Sequence, residues 1–272
     1  MDHHRNDCHN QPFTCPAKNK LKCHMCKAAF WRQPMRSYKL GKTMSDFKIY
    51  RLTGICGLAV VLFSWSQFPL YTMFGGAAAY DDEALSQHLY VIKNIALTRI
   101  LLDLCLYVAG MVFAAGFRHL IRQARADYEW IGTLMFGTFI VWLAVTLVAD
   151  GLQGGAVLDT LGGKPNLSAV RALTEGTLLI YNGSTAFAIT AIFLAVSGYA
   201  TFGTNILPRW TGWLAYAGAL LCVACIPAMY CGPINYEGFY NAGGWGPAII
   251  ANFPPLIWFL VVSVLMIKKS KQ

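Results

Sequence analysis

Apolar runs long enough to cross a bilayer recur from about residue 50 to near the end of this 272-residue chain. A transmembrane helix needs about 20 mostly apolar residues in succession. Hydrophobic residues make up 56% of the chain and charged residues 13%, whereas an ordinary soluble domain has about 25% charged residues. The sequence therefore predicts an all-α integral membrane bundle of about six transmembrane helices, at residues 52–74, 95–117, 130–150, 173–198, 211–230 and 248–267.

The distribution of positive charge predicts how the bundle is oriented. Residues 1–49 hold ten Lys or Arg and three Asp, which is +7 of the formal net charge of +9. With both termini in the cytoplasm, the inner segments that follow residue 49 hold eight Lys or Arg and the outer loops hold three. Because cytoplasmic loops of membrane proteins are enriched in Lys and Arg, we expect a multi-pass protein of the cell inner (plasma) membrane with cytoplasmic N- and C-termini.

The same charge pattern bears on partners. The hydrophobic body carries little net charge, so the sequence does not predict a nucleic-acid partner. A basic segment beside a membrane fits a lipid bilayer with anionic headgroups.

Two domains are expected: a basic, Cys/His-rich cytoplasmic tail over residues 1–48 and a six-helix transmembrane domain over residues 49–272. The weak candidates for a zinc site are in the tail: Cys8, Cys15, Cys23 and Cys26. Cys23 and Cys26 have the spacing of half a zinc knuckle, but six residues separate the other two cysteines. Two further interpretations stay open: a disordered basic segment, or an upstream extension of a reading frame that starts at Met44. No cofactor is predicted for the membrane domain.

The stretch "TRILLDLCLY" places Arg99 and Asp103 inside an apolar run. A charge near the centre of a membrane helix costs about 2.5–3.5 kcal/mol on insertion scales, so such residues usually face other helices or water and pair with one another. A spacing of four puts both side chains on one helical face. The sequence predicts that they interact.

Other predicted helices carry polar groups at a similar depth, in the outer half of the membrane. They suggest a polar pocket that opens to the outside, where a cation, an amine-bearing solute or a proton could bind. The predicted substrate-binding residues are Asp103, Arg99, Asp150, Glu175, Asn182 and Asn252. Another interpretation is that Arg99, Asp150 and Glu175 lie near helix ends and reach the lipid headgroups, or that the Arg99–Asp103 pair merely fastens helices together.

These observations favour a small membrane carrier or sensor with an outward-facing polar pocket. The alternative is a non-catalytic structural or regulatory subunit that binds membrane protein partners through its helices. An intramembrane enzyme is the least favoured class, and no catalytic residue is predicted. The membrane body has His88 and His119 on opposite sides, so Ser184 lacks a histidine base at its own depth.

The stretch "LPRWTGWLAYAGALL" (207–221) follows the small-residue segment "AFAITAIFLAVSGYATFGTN". This pattern resembles an uncharacterised family of bacterial multi-pass membrane proteins, in which a Pro-Arg-Trp-x-Gly-Trp turn on the inner side opens the penultimate helix. The resemblance extends loosely over residues 50–268 and excludes the tail. It implies a membrane fold and location, and it implies no catalytic residue.

Overall fold

The computed structural model describes residues 44–74, 81–232, 234–235 and 238–271. This part of the chain is helical and contains no β-strand. The described residues form seven α-helices: α1 (Met44–Phe74), α2 (Asp82–Ala124), α3 (Glu129–Leu161), α4 (Leu167–Asn182), α5 (Ser184–Thr204), α6 (Arg209–Cys225) and α7 (Trp245–Lys269). A short 3-10 turn at Ala126–Tyr128 precedes α3, and another at Ile226–Tyr230 follows α6.

Six stretches of these helices are long and apolar enough to cross a membrane, and α4 and α5 together form the fourth. The prediction of an all-α bundle with six transmembrane helices is confirmed, and the chain is a multi-pass membrane protein. The cytoplasmic location of the termini stays a prediction. The Cys/His-rich tail, with its four candidate zinc ligands, lies outside the described residues.

The six spans form a closed ring in chain order. Each span packs against the one before it and the one after it, and α7 also packs against α1. At one end of the ring, the Lys269 ammonium donates to the Ile206 carbonyl at 2.6 Å and lies 5.2 Å from the centre of the Tyr50 ring. The start of α1 and the end of α7 therefore lie on the same side of the bundle, which we call the basic side.

Aromatic side chains fill the middle of the ring. Trp258 of α7 is fully buried, and its ring contacts Phe113 and Phe117 of α2 and Phe193 of α5 at centroid distances of 5.7–6.3 Å. Edge-to-face pairs of this kind contribute beyond the area that they bury. This packed layer separates the basic side of the bundle from the polar residues described below.

Helices α2 and α3 extend beyond the hydrocarbon core on the side opposite the basic one, which we call the far side. At 1.5 Å per residue, the 43 residues of α2 span about 65 Å, roughly twice the thickness of the hydrocarbon core. The first turns of α2 bury Leu85, Leu89 and Ile92 against Val157 and Val170, in a second apolar core. The two helices run past the predicted segment ends at residues 95 and 150, because hydropathy marks the lipid-embedded length, whereas the helices continue beyond it with an apolar face buried in the protein.

The fourth span is broken in its middle. Gly183 has an extended backbone (φ −110°, ψ 175°) between the end of α4 and the start of α5. A Cβ atom at this position would lie 2.0 Å from the Leu179 carbonyl oxygen. Glycine permits this close approach because it has no Cβ. The single helix predicted at 173–198 is thus two helices, and the break lies next to Tyr181.

Candidate functional site

Arg99 of α2 forms ion pairs with two carboxylates inside the bundle. Its Nη1 donates to Oδ2 of Asp103 at 3.3 Å, and its Nη2 donates to Oδ1 of Asp150 at 3.2 Å. Asp103 lies one turn further along the same helix, whereas Asp150 belongs to α3. The guanidinium therefore bridges two helices with its two terminal nitrogens, a geometry that suits arginine better than lysine.

Three neutral side chains donate further hydrogen bonds to these carboxylates. The Gln67 amide of α1 donates to Oδ1 of Asp103 at 2.7 Å. The Tyr107 hydroxyl of α2 donates to Oδ2 of Asp150 at 2.5 Å. The Tyr181 hydroxyl of α4 donates to Oδ1 of Asp150 at 2.5 Å and lies 3.4 Å from Oδ2 of Asp103.

We call these six residues the Arg99 cluster: Gln67, Arg99, Asp103, Tyr107, Asp150 and Tyr181. They come from four helices, so the cluster ties together the first four spans. The Tyr181 ring also lies 5.0 Å from the centre of the Arg99 guanidinium, which is within range of a cation–π contact. Because Tyr181 is two residues before Gly183, the break in the fourth span lies against the cluster.

The charged members are closed off from the surface. Their exposed fractions are 1% for Arg99, 5% for Asp103 and 3% for Asp150. Seventeen residues of α2 precede Arg99, and α3 continues for eleven residues after Asp150. The interpretation that Arg99 and Asp150 lie near helix ends and reach the headgroups is therefore wrong, because both side chains point into the bundle and bond there.

Glu175 lies apart from the cluster, although the sequence grouped it with Asp103. Its carboxylate is 3.4 Å from Nη1 of Arg171, and the same guanidinium is bonded to Asp82 at the start of α2. These side chains are partly exposed. They form a surface ion-pair group that holds the far-side end of α4 against α2.

Asn182 and Asn252 bond to each other at the broken span. The Asn252 amide donates to Oδ1 of Asn182 at 3.1 Å and to the Ala248 carbonyl at 2.7 Å. Pro254 and Pro255 follow in α7 and lack the backbone donors of a regular helix. Just beyond the break, the Ser184 hydroxyl donates to the Ile226 carbonyl at 2.8 Å, so it is engaged in a structural bond.

Two glutamines that were not among the predicted site residues also belong to this region. Gln67 is a cluster member. Gln153 of α3 lies one turn from Asp150, is 7% exposed, and its buried Oε1 has no hydrogen-bond donor among the described residues. In the sequence, each glutamine is an amide inside an apolar run. An amide is a weaker indication of a functional site than a charged residue, because it costs less free energy to bury.

Neither a metal-binding group nor a similar protein helps to assign a function to this site. Within the described ranges, no group of three or more His, Cys, Asp or Glu side chains is placed to hold a metal ion. No protein-family model matches the chain, and no curated protein or solved structure shows significant similarity to it.

Proposed function

We propose that this protein is a small membrane carrier or sensor that binds a positively charged ligand at the Arg99 cluster. The candidates for the ligand are a monovalent cation, an amine-bearing solute or a proton. One observation carries the proposal: two buried carboxylates, Asp103 and Asp150, share a single guanidinium. With both carboxylates ionised, the cluster has one negative charge in excess.

The energetic cost of burying that excess negative charge determines the sign of the ligand's charge. A buried ion without a partner costs several kcal/mol even after the protein relaxes. The neutral donors Gln67, Tyr107 and Tyr181 offset part of this cost through hydrogen bonds to the carboxylates. A positively charged ligand removes the excess charge, whereas an anion would add to it.

Gln153 supports a binding site that extends from the cluster toward the far side. It follows Asp150 by three residues, so the two side chains share one face of α3. Its Oε1 is buried and accepts no hydrogen bond from the described residues, and a buried acceptor without a donor is costly. An ammonium group or a coordinated cation would satisfy it.

The alternative of a structural or regulatory subunit rests on small-residue helix faces for partner proteins. In α5, Ala191 is buried and Ala195 packs against the core, so these small residues serve the protein's own bundle. The carrier or sensor proposal therefore takes precedence.

The test is a thermal-stability assay of purified protein in detergent, with sodium chloride and methylammonium chloride as probes. A ligand at about 100 times its Kd stabilises the native state by about 2.7 kcal/mol, which is roughly 5–10 °C for a chain of this size. We expect at least one probe to raise the apparent Tm of the wild type and of Glu175→Gln. Glu175→Gln is the matched control, because it neutralises an acidic residue that lies outside the cluster.

Asp103→Asn should lose the stabilisation by the probe because it removes the excess negative charge. Equal shifts in wild type and Asp103→Asn would place the effect elsewhere and contradict the proposal. The absence of any shift with either probe between pH 6 and pH 8 would contradict the monovalent cation and the amine-bearing solute as ligands.

A further inference from the structure

The two carboxylates of the Arg99 cluster are held together by shared donors. Arg99 bonds one oxygen of each at 3.2–3.3 Å, and the Tyr181 hydroxyl lies 2.5 Å from Asp150 and 3.4 Å from Asp103. Two like charges that close together cannot both be ionised cheaply. One guanidinium neutralises the negative charge of one carboxylate, so the charge of the other needs a second positive group or a proton.

Every carboxylate oxygen of the pair already accepts a hydrogen bond. In Asp103, Oδ1 accepts from Gln67 and Oδ2 from Arg99. In Asp150, Oδ1 accepts from Arg99 and Tyr181, and Oδ2 accepts from Tyr107. A metal ion needs several oxygen ligands, and an ammonium group needs an acceptor for each N–H, so either would have to displace these donors. A proton needs a single lone pair, so it fits the closed arrangement.

Within the described ranges, the helices packed around the carboxylates supply no second positive charge. From α1 the facing group is the neutral Gln67 amide, and from α4 it is the neutral Tyr181 hydroxyl. From α2 the facing groups are Arg99 and the Tyr107 hydroxyl, and α3 contributes Asp150 itself. Among the described residues, Arg99 is the one cation that forms an ion pair with either carboxylate.

From these contacts we infer that Asp103 and Asp150 hold one exchangeable proton between them, and that a bound cation replaces it. This inference rests on the proposed function and makes the site a cation/proton exchange site. Gln153 is the independent sign that the site takes a further ligand, since its buried Oε1 has no donor within the described part of the chain.

The exchange balances in charge and atoms. When a cation enters, the carboxylic O–H bond breaks, its electron pair stays on the carboxylate oxygen, and the proton leaves to water. The cation displaces neutral donors from the carboxylate oxygens and binds there, assisted by Oε1 of Gln153. The cluster is neutral before and after the exchange, so neither state leaves an unbalanced charge inside the bundle.

The first measurement is an infrared difference spectrum of the purified wild type, recorded as the pH is changed from 7 to 10 without a probe cation. A protonated carboxylic acid has a carbonyl-stretch band that ionised carboxylates lack. We expect one such band at pH 7 in the wild type and in Glu175→Gln. It should be missing in Asp103→Asn and in Asp150→Asn, because each of these variants leaves one carboxylate with one guanidinium.

The second measurement is proton release on adding methylammonium chloride to wild type in weakly buffered detergent solution at pH 7. We expect about one proton for each cation bound, since one carboxylic acid serves the pair. This wild-type measurement decides the question even where a variant does not fold.

The outcomes separate the inference from the proposed function. Cation binding without proton release, and without the acid band, overturns the exchange and leaves the proposed function in place. A band that persists unchanged when the cation binds also overturns the exchange. A band in a protein that binds neither probe at any pH overturns both the exchange and the binding of these cations.

Discussion

At the scale of single residues, Arg99 and Asp103 differ in what their removal leaves behind. Arg99→Leu leaves Asp103 and Asp150 buried without their shared cation, and breaking a buried ion pair from one side costs about 3–5 kcal/mol. Asp103→Asn leaves Arg99 paired with Asp150 and keeps a side chain of the same shape beside Gln67. We expect the apparent Tm in detergent to fall by roughly 10 °C in Arg99→Leu and to stay level or rise in Asp103→Asn.

The double variant Arg99→Leu/Asp103→Leu is the control for this prediction. It leaves Asp150 with hydrogen bonds from Tyr107 and Tyr181, so part of the stability lost in Arg99→Leu should return. If Asp103→Asn proves as harmful as Arg99→Leu, the cluster is a structural clamp and its carboxylates are not kept for a ligand. A carboxylate whose removal stabilises the protein is typical of a functional site.

Sequence spacing identified part of the candidate site at this scale. Arg99 and Asp103 are four residues apart, so their proximity follows from helical periodicity alone. Which charges join them from other helices depends on how each helix is rotated in the ring. Thr177 and Tyr181 of α4 both bond toward α3. Glu175 lies two residues from Thr177 and so faces nearly the opposite direction, toward Arg171.

At the scale of helices, the break in the fourth span brings Tyr181 to the cluster. The hydropathy pattern of the sequence did not predict this break. Residues 173–198 are hydrophobic enough overall to be taken as one span, and Gly183 is not a sufficient signal for a break, because glycine is common in transmembrane helices. By contrast, the early start of α2 did have local signals. Asp81 caps the helix by accepting from the Ala84 backbone N–H, and Leu85, Leu89 and Ile92 recur at helical spacing.

Gly183→Ala should therefore be costly, since its Cβ would lie 2.0 Å from a backbone oxygen and the break would have to rearrange. Forcing an extra methyl group into a packed site typically costs about 1–3 kcal/mol, and we expect the apparent Tm to fall by roughly 2–12 °C. Gly151→Ala is the matched control, because nothing lies within 4 Å of a Cβ at that helical position. Alanine is the better helix former, so this variant should be neutral or slightly stabilising. Equal effects of the two substitutions would mean that the break tolerates a side chain.

At the scale of the whole molecule, the ring is polar toward the far side and aromatic at its centre. The Arg99 cluster and Gln153 lie near the extension of α2 and α3, whereas Trp258 and its phenylalanine neighbours close the middle. A ligand that reaches the cluster from the far side would meet this aromatic layer before it could cross the bundle. The biological direction of access then depends on which side of the membrane the far side faces.

The thiol of Cys231 is a native probe of that orientation. It follows the turn Ile226–Tyr230 at the far-side end of the fifth span and is exposed. With cytoplasmic termini, Cys231 faces outward, and a membrane-impermeant maleimide should label it in intact spheroplasts. Cys231→Ser should abolish that label. Cys105 is also exposed, but it lies within α2, where an impermeant reagent cannot follow. Labelling of Cys231 that requires permeabilised membranes would reverse the topology, and the cluster would then take its ligand from the cytoplasm.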